Sequence, residues 1–176
     1  MAEILRFFLD RVSTPIGDLS IVADSEGNLR AAFWTDDDND MRRVLEGQYP
    51  GKRVELGPAV DPHGLRDALR AYFAGDLHSI DKLPVETGGT QFQREVWRAL
   101  RDIPCGSTIS YGELARRIGR PAAVRAVGLA NGANPVGVVV PCHRVIGSNG
   151  ALTGYGGGIE RKRWLLDHER EPRLSF

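Results

Sequence analysis

At 176 residues, 41% hydrophobic and 26% charged, the chain has ordinary values for a soluble globular protein and can bury a core as one domain or two small ones. The N-terminus MAEILRFFLDRVSTP lacks a basic leader with a long apolar core, and no apolar run approaches membrane-spanning length, so neither a signal peptide nor a membrane span is expected, and a cytoplasmic location is. The net charge of zero hides a split: residues 1–90 hold 10 Lys/Arg against 16 Asp/Glu, and residues 91–176 hold 13 against 7, so the second half suits a phosphate-backbone partner and the first half would repel one.

Residues 4–34 alternate apolar segments with turn signals. Strands are expected over 4–12, 19–23 and 29–34, separated by Pro15-Ile16-Gly17-Asp18 and Glu26-Gly27-Asn28. The acidic run Asp36-Asp37-Asp38-Asn39-Asp40 ends the third strand and leads into a short helix around 41–46. It reads as a solvated loop, because no histidine or further metal ligand lies nearby. Another helix is expected to start around Asp61-Pro62 and run through Leu65, Leu69, Tyr72 and Phe73 until Gly75 stops it. His63 and His78 flank it as surface residues. Residues 1–86 thus form a small α/β domain, and residues 83–90 read by composition as the linker.

After the linker, Phe92, Val96, Trp97 and Leu100 mark an amphipathic helix ending near Ile103-Pro104. Cys105-Gly106 follows as a turn, and Cys105, with no adjacent histidine, reads as incidental. Two cysteines and no secretion signal make a disulfide framework unexpected. Ser110 caps the next helix, with Glu113 in the capping-box position. Gly119-Arg120-Pro121 then turns into a helix over 122–130, with the proline at its first position. Helix, glycine turn, helix is the helix-turn-helix signature, though plain bundles share it. The second helix carries one charge, Arg125, and no Asn, Gln or Lys to read base edges. Its residues alone favour a buried, tightly packed helix with Arg125 paired to a carboxylate over a wedge into a narrow groove.

Val138-Val139-Val140 favours an extended, buried segment, and Pro141 blocks its continuation. Cys142 and His143 are thus delivered side by side at the end of a stiff, dry element. Only a thiolate is a competent nucleophile. His143 could take the proton, directly or through water, and a carboxylate could hold the imidazole. Neighbours on an extended chain point to opposite faces, so the pair meets only where the backbone bends. Taken alone, it suits a cysteine hydrolase as well as an alkyl acceptor. Residues 146–150 then make a tight turn, and Gly156-Gly157-Gly158 would let a flat ligand lie against the chain. A last helix over 159–168 packs through Trp164 and Leu165. Glu169 lies at its C-terminal end, where the helix dipole disfavours a carboxylate, which hints at a specific partner.

From about Thr87 to Glu169 the chain resembles the O6-alkylguanine-DNA alkyltransferases, in particular the bacterial constitutive type. The matching segments are FQREVW (92–97), IPCGSTISYGELA (103–115), RAVGLANGANP (125–135), PCHRVIG (141–147), TGYGGG (153–158) and KRWLLDHE (162–169). AYFAGDL (71–77) and the strand pattern extend the likeness loosely into the first half. The resemblance implies a ribonuclease-H-like α/β domain over 1–86 and a mostly helical, winged-helix-like domain with the helix-turn-helix over 87–176. It implies direct-reversal DNA repair by a monomer without a cofactor, with cooperative loading on DNA left open. O6-alkylguanine, and O4-alkylthymine by extension, would be flipped out of double-stranded DNA, and the alkyl group kept on Cys142. A thioether does not hydrolyse under these conditions, so each molecule would act once.

The same resemblance assigns roles. His143 would deprotonate Cys142 through a water, with Glu169 polarising the imidazole, and Tyr111 would protonate the departing guanine. Asn134 would tie the two helices to the reactive turn. Arg125 would replace the flipped base in the stack, reversing the packed-helix reading. Tyr111, Arg120, Ala126 and Ser148 would also contact DNA. Val145, Tyr155, Gly156 and Gly157 would line the base pocket. Some members carry a zinc site in the N-terminal domain, but residues 1–90 contain no cysteine, so no metal is expected. Gly137 stands where several relatives carry a bulkier residue, which would open the pocket to larger alkyl groups. Two other classes compete: a module that binds alkylated bases without accepting the group, and a cysteine hydrolase. Cys142 argues against the first, and the missing oxyanion-hole signal argues against the second.

Overall fold

Four strands make the main sheet of the computed structural model, which describes residues 2–58 and 64–170. β1 (Ile4–Thr14), β2 (Gly17–Ala23) and β3 (Leu29–Phe33) form an antiparallel meander, each within two residues of its expected bounds. β4 (Arg53–Pro58) joins β1 in parallel, giving the order β3-β2-β1-β4. Sequence reading did not single out β4. Its alternation rests on Val54 and Leu56 alone, and its partner strand lies far back in the chain.

α1 (Asp38–Gln48) makes the crossover from β3 to β4. Its N-cap is Asp37, whose side chain accepts from the Asn39 N–H at 2.8 Å, so the acidic run caps a helix longer than expected. Met41 and Leu45 of α1 pack on one sheet face with Phe7, Val22, Ala31 and Val54. On the other face Val12, Leu19, Ile21 and Leu29 meet Leu65, Leu69, Tyr72 and Phe73 of α2 (Leu65–Ala74). The expected helix start at Asp61-Pro62 and His63 lie outside the described residues.

That second core does not stop at the linker. It runs on into Val96, Trp97 and Leu100 of α3 (Gln91–Leu100), and then into the residues around Cys142. The exposed edge of β3 carries the connection. Leu29 N–H donates to Pro84 O at 2.8 Å and Glu86 N–H returns to Leu29 O at 3.0 Å. Further along the edge, Ala32 N–H donates to Pro135 O and Gly137 N–H to Ala32 O, both at 2.9 Å. The linker and a segment of the second half therefore satisfy an edge that would otherwise template aggregation. Gly88 lies so close to α1 that a Cβ there would sit 2.5 Å from Gln48 O. The glycine linker is a fitted joint.

The second half is mostly helical. Thr90 caps α3 with Gln93 in a complete capping box. Ser110 caps α4 (Tyr111–Arg117) by accepting from Glu113 N–H at 3.0 Å. The Glu113 side chain turns instead to Arg116 and Arg117, so only half of the expected box forms. α5 (Val124–Gly132) begins two residues later than expected, and Pro121 sits in the turn before it, not at its first position. The Trp97 indole N–H donates to Ala130 O at 2.8 Å, fixing α5 on α3. Ile109–Ser110 (β5) and Val145–Ile146 (β6) form a short parallel pair, and α6 (Ile159–Arg170) extends past its expected end to include Glu169.

The valine run differs from expectation. Val138, Val139 and Val140 are buried, but they form turns and no extended element. Val138 takes φ 71°, Val139 N–H donates to Gly137 O, and Val140 N–H to Val136 O. The chain must leave the β3 edge at Gly137 and enter the core within a few residues. β-branching here serves burial rather than extension.

Candidate active site

Cys142–Arg144 form a single 3-10 turn after Pro141, which is the bend that the cysteine–histidine pair requires. The Cys142 N–H donates to Val140 O at 2.8 Å. Asn134, just beyond α5, grips the same loop: its side-chain N–H donates to Val140 O at 2.8 Å and its carbonyl accepts from Val136 N–H at 3.0 Å. It thus ties the end of α5 to the loop entering the reactive turn. Asn131 adds a long contact to Cys142 O at 3.5 Å.

The turn sends His143 and Arg144 towards α6. His143 Nε2 lies 2.5 Å from Glu169 Oε1, and Arg144 donates to both Glu169 oxygens at 2.7–3.1 Å. A fourth Arg144 bond goes to Ile103 O at 2.8 Å. All three side chains are buried. Burial acts to raise the Glu169 carboxyl, but His143 and Arg144 outweigh it and hold the group well below the usual carboxylate range. Burial pushes His143 below the usual imidazole value even though Glu169 pulls it up. A ring nitrogen that close to a carboxylate must donate, so the neutral imidazole carries its proton on Nε2 and keeps a lone pair on Nδ1. Nδ1 is buried and has no hydrogen-bond partner among the described residues. It is a base with its lone pair unused.

Burial likewise pushes the Cys142 thiol up, countered by the Asn134 hydrogen bond and the Lys162 charge. Lys162 is fully buried on α6, donating to Val145 O and Thr153 O at 2.7 Å each. It stitches β6 to the glycine-rich segment and leaves a positive charge beside the thiol. A thiolate formed here would be stabilised by that charge.

Cys142 opens on a cavity whose wall comes from both halves of the chain: Phe33 and Trp34 at the end of β3, Asn131 and Asn134, and Gly154 to Gly157. The Trp34 indole N–H donates to the Tyr155 hydroxyl at 3.3 Å. Gly157 has no room for a side chain, since a Cβ would lie 2.4 Å from Trp34 Cδ1. The cavity thus brings together Cys142, Asn134, Tyr155, Gly156 and Gly157. Val145 is buried but not part of the lining; its carbonyl is taken by Lys162 and its strand by Ile109. Tyr111 also lies outside the lining, with its hydroxyl 3.0 Å from Thr153 Oγ1.

α5 is not the buried helix that its composition favours. Val127 and Ala130 pack inward, while Val124, Arg125, Ala126 and Leu129 face outward, Leu129 with 73% exposure. Arg125 makes no ion pair among the described residues, so the carboxylate pairing expected from the segment alone is corrected. Arg120 stacks on Phe92 and reaches Glu95 at 3.3 Å, and Ser148 is exposed in the turn after β6. Cys105 is not incidental either: its thiol donates to Glu169 Oε2 at 3.3 Å. Sequence reading gave no role to Arg144, Lys162, Asn131, Phe33 or Trp34. Arg144 left a faint signal as a cation before the apolar Val145-Ile146; Lys162, inside the charged run Glu160 to Arg163, left none, and neither did the two aromatics. Among the described residues no three His, Cys, Asp or Glu side chains group to hold a metal ion, and no helix is long and apolar enough to cross a membrane.

Comparison with known proteins gives a consistent answer. Residues 91–171 match the family model for the DNA-binding domain of 6-O-methylguanine DNA methyltransferase. The chain is 53% identical over 165 residues to the methylated-DNA–protein-cysteine methyltransferase of Shigella flexneri, covering 94% of this chain and 96% of the relative. It is 54% identical to that of Salmonella typhimurium with the same coverage. The Mycobacterium tuberculosis OGT structure in complex with DNA superposes with TM-score 0.75 at 42% identity, covering 94% of this chain and 93% of that one. The O6-methylguanine-DNA methyltransferase of Pyrococcus kodakaraensis superposes with TM-score 0.69 at 25% identity, covering 93% and 98%.

The buried relay has a consequence for stability. His143 and Glu169 are both held below their usual values of 6.5 and 4.5, so the unfolded chain takes up protons before the folded one does. Stability is therefore expected to be full above the imidazole range, to fall as pH drops through about 6.5, and to fall further below about 4.5. Melting temperatures across that range check it. A transition that does not move between about pH 7.5 and about pH 5 contradicts the buried neutral imidazole.

Proposed function

The chain belongs to the methylated-DNA–protein-cysteine methyltransferase family, and from that premise we propose that it repairs O6-alkylguanine in double-stranded DNA by moving the alkyl group irreversibly to Cys142. The observation that carries this reading is a buried thiol on the wall of a cavity, next in the chain to a His143 whose buried Nδ1 has no hydrogen-bond partner among the described residues. His143 takes the thiol proton through a bridging water, and Glu169 stabilises the imidazolium that forms. The thiolate, next to Lys162, attacks the alkyl carbon. The new S–C bond forms as the O6–C bond breaks, and the bonding pair stays with the guanine, which takes a proton from Tyr111. No step regenerates the thiol, so one molecule repairs one lesion.

The base must leave the duplex to reach Cys142, at a cost of a few kcal/mol. The outward face of α5 supports a role in meeting that cost, because Arg125 is exposed without an ion pair among the described residues and Ala126 beside it lets a backbone approach closely. Arg120, Ser148 and the first turn of α4 at Tyr111 complete the proposed DNA face. Tyr155, Gly156 and Gly157 hold the flipped base, and Trp34 fixes Tyr155. The ribonuclease-H-like and winged-helix-like descriptions of the two halves, with a boundary at 86/87, belong to the same reading, as does O4-alkylthymine as a second substrate. A cysteine hydrolase fits less well, because the relatives that match nearly the full chain are named methylated-DNA–protein-cysteine methyltransferases.

Incubating the protein with O6-methylguanine duplex and measuring its intact mass tests the reading. One methyl per chain, mapped to Cys142 and lost in Cys142→Ser, is expected. No gain, or a gain on Cys105 alone, contradicts it.

Gly137 bears on which alkyl groups fit. A Cβ there would sit 3.7 Å from the Tyr155 hydroxyl and 3.2 Å from Ala32 O, so any side chain narrows the cavity. Proline would also remove the Gly137 N–H bond to Ala32 O, so alanine is the cleaner probe. Gly137→Ala is expected to lower the benzyl-to-methyl ratio of single-turnover rates by about tenfold. An unchanged ratio removes Gly137 from the account of alkyl size.

A further inference from the structure

Glu169 has more donors than orienting one imidazole requires. Oε1 faces His143 Nε2 and Arg144 Nε, while Oε2 accepts from the Arg144 Nη2 at 2.7 Å and from the Cys105 thiol at 3.3 Å. Cys105 reaches it from the turn between α3 and α4. Gly106, at φ 87°, lets that turn close on the end of α6, where a Cβ would lie 3.2 Å from Glu169 O. Burial, then the Glu169 charge, pushes the Cys105 thiol up to about 12. It keeps its proton at neutral pH and is a standing donor. Cys105 also lines a different cavity from Cys142, beside Arg101, Pro141 and Arg144. Its location and its Glu169 partner set it apart from the acceptor.

We propose that Cys105 is a positioning residue for alkyl transfer. Its S–H helps to saturate Glu169 Oε2, and so leaves Oε1 as the atom that accepts the hydrogen bond from His143 Nε2–H. The inference rests on the reading of Cys142 as acceptor and His143 as its base. Without the thiol donor, the carboxylate is held less firmly against His143, which slows proton abstraction, and its less shared charge favours the imidazolium, which moves the acid limb to higher pH. Serine keeps an O–H donor in nearly the same place, and alanine keeps none.

The test uses the full chain as wild type, Cys105→Ala and Cys105→Ser, with single-turnover methyl transfer from O6-methylguanine duplex measured across pH beside thermal melts. Cys105→Ala is expected to be slower on the order of tenfold. Its acid limb should move to higher pH by about half a unit, with Cys105→Ser restoring both. Wild-type rate and profile in Cys105→Ala overturn the proposal. So does an equal loss in both variants with an unmoved acid limb, which marks plain packing. Should the alanine variant fail to fold, Cys142→Ser decides, since Cys105 is then the sole thiol. Its reaction with iodoacetamide should stay slow until about pH 10, and ready reaction at neutral pH overturns the donor role. If wild type itself leaves Cys142 unmethylated, the repair reading fails, and the iodoacetamide result still rules on the Cys105–Glu169 bond.

Discussion

A carboxylate buried at the wrong end of a helix is the constraint on which the rest of the site depends. Glu169 sits in the last turn of α6, where the helix dipole opposes it, and its side chain is 1% exposed. Arg144 offsets both costs through a forked contact, and His143 and Cys105 fill the remaining acceptor positions. Removing one partner of such a buried pair typically costs about 3–5 kcal/mol, because the other charge is left uncompensated. Three segments distant in sequence, the turn after α3, the 3-10 turn and the end of α6, are locked together by this one group.

From that lock follows the state of the reactive turn. His143 and Arg144 can both reach α6 only because the backbone winds into a 3-10 turn, which leaves Cys142 on the cavity side. Pro141 before the turn and Asn134 across it fix the approach. The sheet contributes through the β3 edge, which holds residues 135–137 by two backbone bonds and supplies Phe33 and Trp34 to the cavity wall. The acidic first half is thus part of the site, although its charge would keep it away from DNA.

Much of this was legible in the residues. Apolar spacing marked α2, α3 and α6, turn residues marked the first two hairpins, and Ser110 marked the start of α4. The six motifs pointed to Cys142, His143, Glu169, Asn134 and the glycine-rich wall. What escaped was whatever depends on tertiary partners. The valine run has strand propensity but forms turns, because its ends are held by Ala32 and Asn134. α5 looks buried by composition, yet one of its faces is bare, and no local pattern distinguishes a packed alanine from an exposed one. Cys105 lacked a neighbouring histidine in sequence, while its partner lay 64 residues away. β4 needed its parallel partner to be recognised at all.

The central claim is that His143 is a neutral base, protonated on Nε2 by virtue of Glu169 and free on Nδ1 for the thiol proton. The most direct measurement is the nitrogen NMR spectrum of selectively labelled histidine across pH, with His143 assigned. The account predicts a neutral ring at neutral pH, with its proton on Nε2 and a titration midpoint below the usual imidazole value of 6.5. An imidazolium at neutral pH, or a neutral ring carrying its proton on Nδ1, would contradict it.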